Sequence, residues 1–225
     1  MSDLTRKAVI GLVQFIVGLG LLLFVPAWTL DYWQAWVYLL IFAVSASATT
    51  AYLWKTDLAL LERRLNVGSR AETEKSQKRI QVYAALAFVG TIALPSIDHR
   101  FAWSVVPLPP VLAGDVLVIL GFFVIFLVFR ENSFAAATIE VVSDQEVIST
   151  GPYAVVRHPM YAGALVMFVG TPLALGSWWG LLMLVPFVLT IVWRLLDEER
   201  FLAARLPDYS AYCRKVRWRL VPLLW

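Results

Sequence analysis

Uncharged stretches dominate the chain and recur at intervals that predict membrane-spanning helices. Five such stretches, free of charge except for Asp115, are Ala8–Leu30, Tyr32–Trp54, Ile80–Ile97, Val111–Phe129 and Pro159–Trp193. About 20 apolar residues cross the hydrocarbon core of a bilayer. Backbone amides in lipid must be hydrogen-bonded within the protein, so we expect each stretch to be helical.

The last stretch is too long for one span, and we predict that it forms a helical hairpin. Its break is "GSWWG", Gly176–Gly180, with Pro172 before it and Pro186 after it. Glycine supplies turn geometry, and proline disfavours an unbroken helix. Each arm is short, so a kinked or incomplete second crossing stays open. The pattern therefore predicts an all-α integral membrane protein with about six membrane segments.

The first stretch is interpreted as a retained helix rather than a cleaved signal peptide. It is longer than the apolar region of a signal peptide, and "FVPAWTLDYW" is a poor small-residue cleavage site.

Charge placement predicts the orientation of these helices. Charged residues are 16% of the chain, against about 25% in soluble proteins. Of the 19 lysines and arginines, only Arg100 falls in the loops at one predicted end. The positive-inside rule then places both termini in the cytoplasm, and we expect a multi-pass protein of the bacterial inner membrane. An interfacial aromatic belt is expected at the other end, formed by Trp28, Trp33, Trp36, Trp103, Trp178 and Trp179.

Several classes of site are disfavoured by the residues present. The single cysteine, Cys213, excludes an internal disulfide and a cysteine-rich metal site. His99 and His158 lack the paired spacing of a zinc motif, so no metal is expected. No phosphate-binding loop, G-x-G-x-x-G fingerprint or G-x-S-x-G nucleophile elbow is present. A soluble nucleotide-binding fold is therefore unsupported.

Two polar segments carry less specific patterns. We interpret Lys55–Arg79 as a partly helical, solvated charge run that touches anionic lipid head groups. Asn132–Thr150 alternates weakly and is predicted to be a short hairpin or an irregular lid.

Candidate chemistry is concentrated in the last 95 residues. Its four motifs are "RENSF" at 130–134, "GPYAVVRHPMYAG" at 151–163, "RLLDEERFL" at 194–202 and the tail "YSAYCRKVRWRLVPLLW". A closed hairpin would bring the second motif beside the third at the cytoplasmic face. Arg194 and Glu198 could simply pair within one helix, and His158-Pro159 could simply mark a helix start. Taken together, the motifs predict a site for a zwitterionic ligand with an aromatic ring, because ionisable groups at membrane depth tend to be functional.

These motifs, in this order around a hairpin, resemble the isoprenylcysteine carboxyl methyltransferase family. That family groups with related membrane methyltransferases, including phospholipid N-methyltransferases. The resemblance covers roughly Arg130–Trp225, and "LLERRLNVGSRAETEKSQK" also looks like a loop of bacterial members. It implies a scaffold of transmembrane helices at 1–129 and a cofactor-binding and catalytic region at 130–225.

The resemblance implies S-adenosylmethionine as cofactor and a lipophilic or prenylated acceptor that enters from the bilayer. Membrane lipids are the other expected partners, and nucleic acid is not. The implied cofactor-binding residues are Gly151, Pro152, Tyr153, Arg157, His158, Pro159, Tyr161, Gly163, Glu198, Tyr209 and Tyr212. The implied catalytic residues are Arg194, Glu198 and Glu199, and the substrate-binding residues are Asn132 and Arg194.

The chemistry of methyl transfer limits what these residues must do. A carboxylate acceptor is already ionised at neutral pH and needs no general base. Its charge and that of a sulfonium donor vanish together, which a low-dielectric pocket favours. An amine acceptor would have to lose a proton, with Glu198 or Glu199 as base. Phospholipid amines and small thiols stay open as acceptors. The other functions considered are an NADPH-dependent sterol-type reductase and a non-enzymatic transporter or sensor subunit.

Overall fold

The computed structural model describes residues 3–65, 75–135 and 146–225, and this part of the chain is helical without strands. In chain order the α-helices are α1 (Asp3–Ala27), α2 (Trp33–Thr56), α3 (Leu58–Leu65), α4 (Lys75–Phe101), α5 (Leu108–Glu131), α6 (Pro159–Ala174), α7 (Leu184–Arg205) and α8 (Tyr209–Lys215). Short 3-10 helices at Gly151–Ala154 and Trp179–Met183 precede α6 and α7. The all-α membrane fold predicted from the sequence is confirmed.

Five helices are long and apolar enough to cross a membrane. They are Asp3–Ala27, Trp33–Thr56, Ser76–Phe101, Leu108–Glu131 and Trp179–Arg205. The first four correspond to the first four uncharged stretches of the sequence. Pro26 of α1 and Pro95 of α4 lie inside helices, so neither proline ends its helix.

The predicted hairpin is present, but its arms are unequal. Its first arm, α6, has 16 residues, which at 1.5 Å per residue is shorter than the roughly 30 Å hydrocarbon core. Its second arm, Trp179–Arg205, has 27 residues and is long enough to span. The short arm is thus the first, because α6 begins only at Pro159 and the turn follows directly after Ala174.

Glycines bring α5 and α6 into backbone contact along the most extensive helix pair of the structure. Gly121 faces Gly163, and Gly114 faces Gly170. A β-carbon at Gly121 would lie 2.7 Å from the Gly163 carbonyl oxygen, and one at Gly170 would lie 2.6 Å from that of Gly114. These distances are too short for any side chain, so glycine is required for α6 to lie flat against α5.

One end of the bundle, which we call the tryptophan end, holds the hairpin turn. Here α1 and α4 finish and α2, α5 and α7 begin. Asp98, which is buried, accepts hydrogen bonds from Ser177 Oγ at 2.5 Å and from the Ser104 amide at 2.7 Å. All six tryptophans of the predicted belt are exposed at this end. Gly176 has a positive φ of 72°, as the predicted turn requires.

The opposite end, which we call the site end, collects the start of α6, the end of α7 and the helix α8. The sequence predicted that the Lys55–Arg79 segment is solvated, but its described ends contain buried residues. Leu60, Leu61 and Gln77 are buried, because α3 and the first turn of α4 pack on the bundle. Residues 66–74 of that segment, and 136–145 of the expected hairpin or lid, lie outside the described residues.

Candidate active site

The hairpin brings the two central motifs together at the site end. His158 immediately precedes α6, with Pro159 at its first position, which suits a residue that lacks an amide hydrogen. Arg194, Glu198 and Glu199 lie in the last three turns of α7. The start of one arm therefore faces the end of the other, as the sequence predicted.

Tyr161 connects the two arms through its hydroxyl group. It donates a hydrogen bond to Glu198 Oε2 at 2.5 Å and accepts one from Arg194 Nε at 2.9 Å. The sequence allowed a direct ion pair between Arg194 and Glu198 on one helix face. In the structure the phenol of Tyr161 lies between the two charges and fixes both side chains.

A second contact holds Arg194 from α4. Arg194 Nη1 donates to Gln77 Oε1 at 3.2 Å. The Gln77 amide nitrogen in turn donates to Asp197 Oδ2, which also accepts from Ser76 Oγ at 2.9 Å. Arg194 is only 8% exposed, so its orientation is set by these buried partners.

Glu199 is the centre of a cluster of positive charges. Its Oε1 lies 3.2 Å from Arg157 Nη1 and 3.3 Å from His158 Nε2. Its Oε2 accepts from Arg219 Nε at 3.0 Å. The Glu199 side chain is 12% exposed, and charge-assisted bonds of this kind are stronger than neutral ones.

The C-terminal tail forms part of this cluster through its backbone. The Arg157 amide donates to the Trp218 carbonyl at 2.9 Å, and the His158 amide donates to that of Arg219 at 3.0 Å. The tail thereby fixes the segment just before α6 and places the Arg219 side chain against Glu199.

Tyr153 joins the 3-10 helix to both α5 and α8. Its hydroxyl accepts from Asn132 Nδ2 at 2.8 Å, and its carbonyl accepts from Tyr212 Oη at 2.8 Å. Burial raises the pKa of Tyr153 to about 12. Burial also raises the pKa of Tyr209 and of Tyr212. All three phenols are therefore neutral near pH 7.

A pocket of about 130 Å³ lies among these residues. Its lining includes ten of the residues predicted from the sequence: Asn132, Tyr153, Arg157, His158, Pro159, Tyr161, Arg194, Glu198, Tyr209 and Tyr212. Within the described part of the chain, Arg157 Nε and Tyr209 Oη are buried without a hydrogen-bond partner. Buried polar atoms are nearly always paired, so these two indicate a polar ligand.

The other predicted residues lie beside the pocket rather than on its lining. Glu199 contacts Arg157 and His158, which line the pocket, and Arg219, which lies next to it. Gly151 has a positive φ of 54°, and a β-carbon there would lie 2.8 Å from the Glu131 carboxyl group. Pro152 follows it in the same 3-10 helix. Gly163 lies at the α5–α6 contact, so its position is explained by packing.

Three site residues were not identified from the sequence: Arg64, Gln77 and Arg219. Arg64 and Gln77 lie in the charge-rich Lys55–Arg79 segment, where the sequence makes them look like surface residues. Arg219 is one of several cations in the tail. The sequence gives one weak indication for Arg64 and Gln77, because their segment resembles a loop of bacterial methyltransferases. That resemblance does not identify individual residues.

The arrangement can bind a ligand that carries both charges and an aromatic ring. Arg157 provides positive charge, His158 provides a ring nitrogen for hydrogen bonding, Glu198 provides negative charge, and Tyr209 and Tyr212 provide aromatic faces. No group of metal-ligating side chains is found among the described residues. These side chains can bind and orient charged groups in a site partly shielded from water.

Comparison with known proteins agrees with this site. Residues 110–208 match the family model described as phospholipid methyltransferase. None of the curated proteins matches the chain. The match begins in α5 and includes the hairpin with Tyr161, Arg194 and Glu198. It confirms the resemblance seen in the sequence, because this family is related to the isoprenylcysteine carboxyl methyltransferases. The chain is therefore a membrane methyltransferase, and its residues 110–208 are similar to the phospholipid methyltransferase family.

Proposed function

We propose that this protein transfers a methyl group from S-adenosylmethionine to the carboxylate of a lipophilic, prenylcysteine-like acceptor. The observation that carries the cofactor assignment is the pair of orphaned buried atoms, Arg157 Nε and Tyr209 Oη, at one pocket. Both atoms can donate hydrogen bonds. Both lie beside charged side chains that suit the ammonium and carboxylate groups of an amino acid.

The residues present fit the amino-acid part and the base of the proposed cofactor. Its ammonium group suits Glu198, and its carboxylate suits Arg157 or His158. Its adenine or sulfonium suits the rings of Tyr209 and Tyr212, which lie 6.0 Å apart and tilted. When bound, S-adenosylmethionine supplies an electrophilic methyl group on a positively charged sulfur.

The protein's own contribution is orientation. Tyr161 and Gln77 hold the guanidinium group of Arg194 at the pocket wall, where it would orient the acceptor carboxylate. Positioning of two reactants can contribute roughly 7–11 kcal/mol to catalysis.

The contacts of Glu198 and Glu199 favour a carboxylate as methyl acceptor over an amine or a thiol. Amines and thiols must lose a proton, and Glu198 and Glu199 were the candidate bases. Glu199 is bound by Arg157, His158 and Arg219, and Glu198 accepts a 2.5 Å hydrogen bond from Tyr161. Both carboxylates are thus already engaged by partners within the protein, whereas a carboxylate acceptor needs no base.

We further propose that the site end faces the cytoplasm of a bacterial cell. All lysines and arginines except Arg100 lie at or near this end along the chain. The positive-inside rule supports that orientation, with both termini inside.

Calorimetry on the detergent-solubilised protein tests the cofactor. We expect S-adenosylmethionine to bind, and Tyr209→Phe and His158→Ala to weaken binding. Tyr83→Phe, on the exposed face of α4, is the control and should bind as the wild type does. Binding of NADPH in place of S-adenosylmethionine would overturn the proposal in favour of a reductase.

Labelled-methyl transfer tests the acceptor. The panel holds S-prenyl-N-acetylcysteines, phosphatidylethanolamine and small thiols, with S-adenosylmethionine as donor. We expect label on the prenylcysteine as a base-labile ester. Label on the phospholipid amine or on the thiol alone would overturn the choice of a carboxylate and keep the methyltransferase.

A further inference from the structure

A second cavity lies beside the site, among the helices at 1–129 that the sequence suggested were only scaffold. Its volume is about 340 Å³. Its walls come from the site-end halves of α1, α2 and α5 and from α3. The lining residues are Ala8, Leu12, Phe15, Ala46, Thr49, Thr50, Leu53, Leu61, Arg64, Leu65, Phe122, Ile125 and Phe129.

The wall of this cavity is apolar with one charged exception. The Thr49 hydroxyl donates a hydrogen bond within α2, to the Ser45 carbonyl at 2.9 Å. The remaining wall is almost entirely alanine, leucine, isoleucine and phenylalanine. Arg64 alone among the lining residues carries a charge. A cavity of this composition suits a hydrocarbon chain that ends in a polar group.

Arg64 lies between this cavity and the cofactor pocket. Its guanidinium group stacks 4.8 Å from the ring of Phe129, which lines the cavity. Its Nη1 lies 3.4 Å from the Ala135 carbonyl oxygen and 3.7 Å from Met160 Sδ. Ala135 and Met160 line the cofactor pocket. One side chain therefore borders both spaces.

The charges around Arg64 define what head group this junction attracts. Burial, together with the nearby charge of Arg194, lowers the pKa of Arg64 to about 10. Arg64 is still a cation near pH 7. Two guanidinium groups, on α3 and α7, thus act on the same region. An anionic head group is attracted there and an ammonium group is repelled.

We propose that the cavity holds the tail of the methyl acceptor, and that Arg64 draws its anionic head group to the junction with the cofactor pocket. The cavity volume is about 340 Å³. If each group the size of a water molecule takes about 30 Å³, the cavity holds about eleven of them. One hydrocarbon chain fits, and a two-chain phospholipid does not. The acceptor is then a single-chain amphiphile whose acid group lies close to its tail. This assignment rests on the proposed methyl transfer for its role, but the binding site itself can be tested without it.

Photo-crosslinking locates the tail independently of catalysis. The probe is an S-alkyl-N-acetylcysteine with a diazirine in a tail of about ten carbons, added to the full-length protein in detergent. We expect crosslinks at Leu12 or Thr49, which line the cavity and are partly buried. Ala46→Phe, which fills the cavity, should reduce crosslinking at least about tenfold. Val44→Phe is the matched control, because Val44 lies two positions away on α2 and is exposed.

Crosslinks confined to exposed side chains, or an equal effect of both variants, would overturn the proposal. The proposal would also be overturned if phosphatidylethanolamine, but not the unlabelled probe, prevented crosslinking in the cavity. The cavity would then be a phospholipid site. Cavity crosslinks without methyl transfer to any carboxylate would leave the binding site standing and overturn the proposed function alone.

The role of Arg64 is tested by comparing the acid probe with its primary amide. Wild-type protein should bind the acid at least about tenfold more tightly, as a charge-assisted hydrogen bond predicts. Arg64→Gln should remove this difference, and Arg64→Lys should retain part of it. Arg63→Gln is the control, because Arg63 is not among the residues that line the cavity. Equal affinity of acid and amide for the wild type would overturn the role even if Arg64→Gln failed to fold.

Discussion

Tyr161 of α6 and Glu198 of α7 share a 2.5 Å hydrogen bond across the hairpin, although 37 residues separate them. The same hydroxyl accepts from Arg194, so one phenol connects a half-buried carboxylate with a buried guanidinium group. A neutral hydroxyl group on α6 thus orients two charged side chains of α7.

Tyr161→Phe tests this linker. The variant leaves Arg194 Nε and Glu198 Oε2 without their shared partner, and a buried polar atom left unsatisfied costs about 1–3 kcal/mol. We expect a lower melting temperature and a fall in kcat/KM of up to about 100-fold, because small displacements of an orienting group have effects of that size. Tyr52→Phe is the control and should behave as the wild type, because the Tyr52 ring packs on Phe126 and on the neighbouring hydrophobic cluster, and phenylalanine keeps that ring. Equal activity of the two variants would contradict the linking role.

Glu199→Gln tests the charge cluster. The amide keeps the size of the side chain but leaves Arg157, His158 and Arg219 without their anion. Breaking a buried ion pair on one side costs about 3–5 kcal/mol, and we expect the lower limit because the cluster is partly exposed. Thermal melting measures the loss, and calorimetry measures weakened S-adenosylmethionine binding. Glu62→Gln on the exposed side of α3 is the control. An unchanged melting temperature for Glu199→Gln would show that the cluster contributes nothing to stability.

Arg219→Gln tests the contribution of the tail. Arg219 does not line the pocket, so it acts by positioning Glu199 and through it Arg157 and His158. We expect the apparent affinity for S-adenosylmethionine to fall about tenfold, as loss of one charge-assisted bond implies. Arg219→Lys should restore part of it. Arg217→Gln, exposed two positions earlier, should have no effect. If Arg219→Lys bound S-adenosylmethionine no more tightly than Arg219→Gln, the charge of residue 219 would have no role in binding.

Gly121→Ala tests the contact between α5 and α6. The new β-carbon would lie 2.6 Å from Met167 Cβ and 2.7 Å from the Gly163 carbonyl oxygen, so a helix must move. Overpacking of this kind costs about 1–3 kcal/mol. Gly18→Ala on α1 is the control, because nothing lies within 4 Å of its added β-carbon. We expect a lower melting temperature only for Gly121→Ala. A similar response of both variants would show that the two helices can separate without cost.

Thiol labelling of intact cells tests the proposed orientation. In a Cys213→Ser background, a cysteine at Trp179 should react with a membrane-impermeant reagent added outside. A cysteine at Lys215 should react only after permeabilisation. Trp179 lies at the tryptophan end, and Lys215 ends α8 at the site end. The reverse labelling pattern would place the site outside the cytoplasm.

Much of the fold could be predicted because hydrophobic length has a direct physical meaning in a bilayer. The uncharged stretches became α1, α2, α4, α5 and the hairpin, and the turn fell at "GSWWG". The inequality of the hairpin arms could not be predicted in the same way. It depends on how far the second arm continues, because α7 extends past the uncharged stretch, which ends at Trp193, as far as Arg205.

The site was predictable where its residues form motifs near the hairpin ends, and not where they lie elsewhere. Ten of the predicted residues line one pocket. Gln77 and Arg64 were missed, because a glutamine and an arginine in a charged loop look the same whether they face water or the core. Gly163 belongs to the site motif by resemblance, but its close contact with Gly121 becomes visible only when the two helices are packed together.

The membrane helices, the hairpin and the set of charged and aromatic residues near its ends follow from the sequence alone. Local composition is sufficient for these, because burial in lipid and turn formation depend on neighbouring residues. Which side chains meet follows only from the packed helices: Glu199 contacts Arg157, His158 and Arg219, Tyr161 contacts Glu198 and Arg194, and Arg64 borders both the pocket and the cavity. These pairings join α3, α4, α6, α7 and the tail, and pairing energies depend on distance and burial that no linear pattern records.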